Sequence, residues 1–551
     1  MTRCIPHIPQ FRPFPSSLIV SRCVPAFRAL LSGVLVWVAF SAASVARAAR
    51  AGEGPSAESR AVEVQVARPK NVIVMINDGA GWGTWDATAY WQYGSRAGLP
   101  YADFPARYGM TTFPLNPSSS PTYDTVSRVG YDVQRAWDLN PTDNEVLPFA
   151  AYEYLNTTPT DSAAAGTALS AGIKTYNSAV NYDNYGQPVD YSTLVAKRTG
   201  RATGVVTSVP FPHATPAAFA AQNYSRNNYL GIAHQMLTQG HLDVIMGTAG
   251  ARGFDVNGVP YPEMGADEWA AIRSGYLHHV VTDDDWEQLE AGTLVPRGSA
   301  RAWQLIRSKA SFEALADGRL RPDGPLIGVP EVATTLQYDR QAEVVGHDAA
   351  NPSGVAYIKT VPTLATMTRG ALRHLARRSD VGFFVMIEGG ATDWAAHTSS
   401  QPQPEYGRLI EETLDFNDAV VAVIEWVEAN SSWEETLLII TTDHGNGMPF
   451  GPDAQAEPFQ PIVNNGKGRM PGFSFRRTGG HSNALVPLWA KGAGAEQFAR
   501  RVRGLDARYA KYVGWNNGQY VDNTDVAAVV MAVLQGRQVE CLCEQQRERS
   551  R

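Results

Sequence analysis

Three short apolar runs in this chain end alike, and that ending constrains the fold more than any other feature. Residues 71–77 (NVIVMIN), 382–387 (GFFVMI) and 437–442 (LLIITT) are each followed at once by an acid: Asp78, Glu388 and Asp443. Short runs with so few polar interruptions are the pattern of strands buried on both faces, as in a parallel sheet. Residues 203–207 and 242–247 read the same way, and 484–490 is strand-like. A long amphipathic helix fits 404–429, and helical pieces such as 300–315 lie between other strands. Strands alternating with helices give an α/β class: a central mostly parallel sheet flanked by helices on both faces. Two large loop-rich insertions, at about 85–158 and 250–345, interrupt that pattern. In a parallel sheet the strand carboxyl ends share one edge, where α/β folds place ligands, so the three acids are expected to converge.

Other metal-type side chains cluster at the same ends. Glu388 is followed by Asp393 and His397, whose spacing of four puts them on one face of a helical turn. His444 follows Asp443, and His481 lies in a later glycine-containing loop. Carboxylate together with imidazole suits zinc. Taken singly, each has a bland alternative, a structural histidine or an Asp-Gly turn; the joint pattern is much less easily explained. Ser162 heads a run of small residues (SAAAGTALSAG) that reads as a helix to about Gly172. The free N–H groups and positive dipole end of such a helix bind phosphate and lower the cost of a serine alkoxide. By itself the stretch reads more readily as an ordinary N-cap made by Thr160, Asp161 or Ser162. His213-Ala214-Thr215-Pro216 follows the 203–207 strand, with Pro216 suited to a first helical turn, and Ser225-Arg226 comes soon after.

These stretches, with Gly172-Ile173-Lys174-Thr175-Tyr176-Asn177, Gly480-His481 and Tyr520-Val521-Asp522-Asn523-Thr524, stand in the order of the alkaline phosphatase family, which the chain resembles over about residues 70–535. The resemblance implies a hydrolase that cleaves phosphate monoesters through a phosphoserine intermediate. It implies Ser162 as nucleophile and Arg226 as the guanidinium that clamps the phosphate. Asp393, His397 and His481 match a first zinc site. Asp78, Asp443 and His444 match a second, on which Ser162 also sits. Asp78, Thr215 and Glu388 match a third, magnesium-type site. His213 stands where some relatives have Asp; beside the third site it would disfavour magnesium and admit zinc or cobalt. Trp394 stands where some have Lys and offers no cation to substrate phosphate, which implies weaker phosphate binding and faster product release. A phosphodiesterase of the same superfamily, or a non-catalytic phosphate- or metal-binding protein on the same scaffold, are the alternatives. A homodimer is expected by family analogy alone.

Charge narrows the partners. With 47 Lys and Arg against 54 Asp and Glu, net charge −7, and no long basic stretch in the body, nucleic acid is excluded as an expected partner. Residues 1–28 carry four arginines and no acid, 29–45 are almost wholly apolar, and Ala46-Arg47-Ala48 follows. That reads as a signal peptide over 1–48, giving an exported protein, periplasmic or secreted, with no stable membrane span after cleavage. An uncleaved anchor is the alternative, for which the run is a little short. Residues 49–69 read as a linker, 70–535 as the catalytic-type domain, and 536–551 as a polar C-terminal tail. Of four cysteines, Cys541 and Cys543 are too closely spaced for an easy bridge, so no disulfide framework between distant segments is expected.

Overall fold

Strand β1 (Asn71–Asn77) shows why its run is continuously apolar. Val72, Val74 and Ile76 pack into one hydrophobic core, while Ile73 and Met75 pack into another on the opposite face. Successive side chains of a strand point to opposite faces, so a sheet covered on both sides leaves no place for a polar residue. Fully burying each such Val, Ile or Met is worth about 1.5–3 kcal/mol. The computed structural model describes residues 68–260, 280–341, 351–397, 405–476 and 480–542, all within one compact unit spanning Val64–Arg551.

The main sheet contains β1, β2 (Ala106–Thr111), β3 (Ala202–Pro210), β4 (Val244–Thr248), β5 (Gln304–Ile306), β6 (Leu326–Gly328), β7 (Phe383–Gly389), β8 (Thr436–Thr441), β9 (Val486–Gly492), β10 (Gly504–Leu505) and β11 (Gln519–Asp522). Their order across the sheet is β10-β11-β2-β9-β8-β1-β7-β3-β4-β6-β5. Pairings are parallel except those of β9 with β2 and β8, and of β10 with β11. Helices Ser162–Ala171 and Asn523–Leu534 contribute to the core on one face. Helices Trp82–Tyr93, Leu364–Leu375 and Glu405–Asn430 contribute to the core on the other.

Register places the chemistry. Ile76 of β1 lies beside Glu388 of β7 and Thr441 of β8, and Thr207 of β3 lies beside Glu388. Asp78, Glu388 and Asp443 therefore emerge along one edge.

Three readings need correction. The segment 85–158 is not only a surface excursion: it supplies β2 and, in Trp85 and Tyr101, two fully buried rings of the core. Within 250–345, β5 and β6 extend the sheet, and the helix expected over 300–315 is Lys309–Ala316, preceded by β5. Cys541 is disulfide-bonded, to a partner outside the described residues. Residues 1–67, Thr478-Gly479 and the tail from 543 likewise lie outside them. Among the described residues no helix is long and apolar enough to cross a membrane.

Candidate active site

The helix Ser162–Ala171 begins with Asp161, not Ser162, as its cap: the Asp161 carboxylate accepts from the Ala164 N–H at 3.0 Å. Capping by Asp161 leaves the Ser162 hydroxyl to face inward, where Oγ lies 3.2 Å from His444 Nε2. Small side chains let this helix seat closely: a Cβ on Gly166 would stand 2.8 Å from the Ala218 Cβ of the helix Ala214–Ala218. Thr215 on that short helix donates its hydroxyl to Asp78 Oδ2 at 3.1 Å.

Three groups of ligand-type atoms surround Ser162, each with its atoms within 4.8 Å of one another: Asp393 with His397 and His481; Asp78 with Asp393 and His444; Asp78 with His213 and Glu388. Asp443 joins the second group, its Oδ2 being 3.1 Å from His444 Nε2. Asp393 thus reaches toward both of the first two groups, whereas the family resemblance implies one. Gly79 makes this approach possible. It sits at φ +72°, and a Cβ there would lie 2.6 Å from Asp393 Oδ1; its N–H donates to Asp443 Oδ1 at 3.1 Å.

The histidine bonding fixes which nitrogens are free. His481 Nδ1 lies 2.7 Å from the Thr160 carbonyl, which can only accept. Nδ1 therefore carries the proton, and the lone pair of the neutral ring is on Nε2, 3.0 Å from His397 Nε2 and 3.4 Å from Asp393 Oδ1. His213 differs. Its Nε2 lies 3.1 Å from Arg226 Nη2, and a guanidinium only donates, so that lone pair is engaged. Arg226 is also held by Asp161 Oδ2 at 3.2 Å, and the Trp394 ring meets the His213 ring edge-on at 5.7 Å.

Charge is poorly balanced. Burial, then repulsion from Asp443 and Asp393, pushes the Asp78 carboxyl well above the ordinary range. Burial pushes Glu388 up to about 8 and Asp443 up to about 6, with neighbouring carboxylates adding to both. For Asp393 burial also acts upward, but His481 and His397 outweigh it and hold the group well below the usual value. Burial, then Arg226, lowers His213 to about 3, so it is neutral and able to accept. Asp78 Oδ1, Glu388 Oε1 and Asp443 Oδ2 have no hydrogen-bond donor among the described residues. Buried carboxylate oxygens without donors are costly unless a cation meets them. The donor set therefore fits bound metal ions.

All twelve residues singled out in the sequence, namely Asp78, Ser162, His213, Thr215, Arg226, Glu388, Asp393, Trp394, His397, Asp443, His444 and His481, lie in this one cluster of contacts. Two supporting residues were missed, and one role of a third. Thr207 donates its hydroxyl to Glu388, Asn446 donates to Asp393 Oδ1 at 2.7 Å, and Asp161, a cap candidate from the sequence, also anchors Arg226. Asn446 lay in plain view two residues after His444; nothing in the sequence pointed to Thr207.

Comparison with known proteins agrees with the geometry. The alkaline phosphatase family model matches residues 141–471, more than half of the chain. Alkaline phosphatase 3 of Bacillus subtilis is 29% identical over 297 residues, covering 52% of this chain and 49% of that protein, so the match spans about half of the relative's length. Streptomycin-6-phosphate phosphatase of Streptomyces griseus is 25% identical over 531 residues, covering 91% of this chain and 96% of that protein. The solved structure of alkaline phosphatase from the Antarctic bacterium TAB5 shares the fold, with a TM-score of 0.51 and 21% identity over 86% of this chain and 99% of that one. A sheet edge gathering these carboxylates and imidazoles around a helix-borne serine, and a family model that spans most of the same residues, lead to one conclusion: the chain belongs to the alkaline phosphatase family.

Proposed function

We propose that this protein hydrolyses phosphate monoesters, with Ser162 as nucleophile and a phosphoserine intermediate. The observation that carries the reading is the position of Ser162 Oγ. It lies 3.2 Å from His444 Nε2, at a helix N-terminus, among buried carboxylates each of which keeps one oxygen without a donor among the described residues. Asp393, His397 and His481 would hold one zinc ion, and Asp78, Asp443 and His444 a second. Asp78, Glu388 and Thr215 form an oxygen-rich third site suited to magnesium. His213 cannot serve Arg226 and a cation through the same nitrogen at once; a zinc or cobalt ion at the third site would need that nitrogen released. When bound, such ions supply positive charge to the entering and leaving oxygens and favour the ionised serine.

The chain's own groups do the rest. Ser162 Oγ attacks phosphorus, the P–O bond to the alcohol breaks, and the alcohol departs; water then takes the phosphoryl group from Ser162 and releases inorganic phosphate. Helix N–H groups stabilise negative charge at Ser162. Arg226 presents a planar fork of donors for two non-bridging oxygens, held ready by Asp161. Phosphoryl transfer asks for this kind of charge stabilisation and positioning, and for little else. Trp394 adds an apolar wall in place of a cation, which favours release of phosphate.

The competing reading is a phosphodiesterase. The metal-loaded protein should turn over para-nitrophenyl phosphate much faster than bis-(para-nitrophenyl) phosphate; a preference for the diester would overturn the proposal. The N-terminal segment supports export, which amino-terminal sequencing of the mature protein checks: a start at residue 49 is expected.

A further inference from the structure

The mechanism leaves one buried acid unused. Glu412, on the helix Glu405–Asn430, is 4% exposed and has no hydrogen-bond or ion-pair partner among the described residues. It lines a cavity of about 450 Å³, well within the size range of small-ligand sites. Asp415 and Asp418 line the same cavity from the same helix. Asp415 accepts from the Leu364 N–H at 3.2 Å and Asp418 stands at the exposed rim. Glu411 is also in the wall, but it is satisfied by Arg340 at 2.6 Å. Two lysines, Lys309 and Lys359, border the cavity, and Lys309 Nζ is turned to the Lys359 carbonyl at 2.9 Å. Neither pairs with Glu412 or Asp415. The lining therefore holds an acidic stripe on one wall, beside the apolar surface of Leu414 and Pro362; Arg340 and Arg408 act on Glu412 electrostatically, but among the described residues no cation is bonded to Glu412 or Asp415.

We propose that this cavity binds a small organic cation, an aliphatic amine whose ammonium group meets Glu412 and Asp415 and whose stem lies on Leu414 and Pro362. An inorganic ion fits less well. Among the described residues no three of these acids come together as a metal-type cluster. Glu412 and Asp418 are about 9 Å apart along the helix axis, a separation that favours a diamine with its second ammonium at the rim. Burial disfavours the ionised form of Glu412, and an ammonium group beside it would favour that form, so the amine would bind together with loss of the Glu412 proton.

Isothermal titration of the full chain with putrescine tests this. One site per chain is expected. Glu412→Gln should weaken binding by at least about tenfold, and Asp418→Asn by a smaller factor, since a rim charge matters less than a buried one. Asp418 is exposed, so its substitution keeps the test open if Glu412→Gln were to fold poorly. The proposal is overturned if putrescine gives no binding, if Glu412→Gln and Asp418→Asn both bind as wild type, if neutral butanediol binds equally well, or if magnesium displaces putrescine competitively, which would make this an inorganic-cation site.

Discussion

Removing the Asn446 side chain should loosen the metal centre without touching any proposed ligand. Asn446 is fully buried, and its Nδ2 donates to Asp393 Oδ1 at 2.7 Å. Its Oδ1 has no partner among the described residues, so Asn446→Ala removes the bonds of the side-chain amide nitrogen and none described on the oxygen side. A hydrogen bond to a charged group contributes about 1.5–3 kcal/mol. The part that acts on metal binding is the orientation of the Asp393 carboxylate, which both His397 and His481 approach. Loss of such an outer-sphere partner costs about 10–100-fold in metal affinity, equivalent to about 1.4–2.8 kcal/mol, which agrees with the hydrogen-bond figure. The assay is a buffered zinc titration of chelator-stripped wild type and Asn446→Ala, reading bound zinc and recovered phosphatase activity together. Affinities within about twofold of each other would refute the claim that Asn446 positions Asp393.

Three further outcomes are expected. Gly79→Ala places a Cβ 2.6 Å from Asp393 Oδ1 at φ +72°, so it should cost at least about 1–2 kcal/mol of stability from backbone strain and also lower zinc occupancy, read by urea unfolding and metal analysis. Burial, then Asp415, raises the folded-state pKa of Glu412 from 4.5 to about 8; the stability it contributes is therefore fully present below about pH 4.5 and is lost as pH rises to about 8, so unfolding free energy should fall more steeply between about pH 4.5 and 8 in wild type than in Glu412→Gln, with no added slope above that range. Arg340→Met strands the buried Glu411 carboxylate and should cost about 3–5 kcal/mol in denaturant unfolding, with much of the loss recovered on adding Glu411→Leu.

The parts of the fold that could be read from the sequence are those where one residue type dictates the outcome. β1, β7 and β8 were legible because both faces are buried and the runs carry no polar break. β2 was not: Arg107 points to solvent and interrupts the run, and its pairing with β9 and β11 joins residues far apart in the chain. β5 and β6 have three residues each, too few to show a period. The helix Trp82–Tyr93 carries tryptophan, threonine and alanine around most of its circumference and buries eight of its residues, so no polar stripe marked it. The candidate site follows the same logic. Asp78, Glu388 and Asp443 stand out because a charge directly after a buried strand has few structural uses. Thr207 acts only through its register opposite Glu388, and Asp161 through Arg226, 65 positions away; both depend on tertiary neighbours.

The account rests on Ser162, and one measurement bears on it most directly: turnover of para-nitrophenyl phosphate by zinc- and magnesium-loaded wild type and Ser162→Ala, each with its metal content verified. Wild type should hydrolyse the ester, and Ser162→Ala should lose on the order of a thousandfold or more while keeping its metals. Activity in Ser162→Ala within about tenfold of wild type would contradict the assignment of the nucleophile and the phosphoserine route with it.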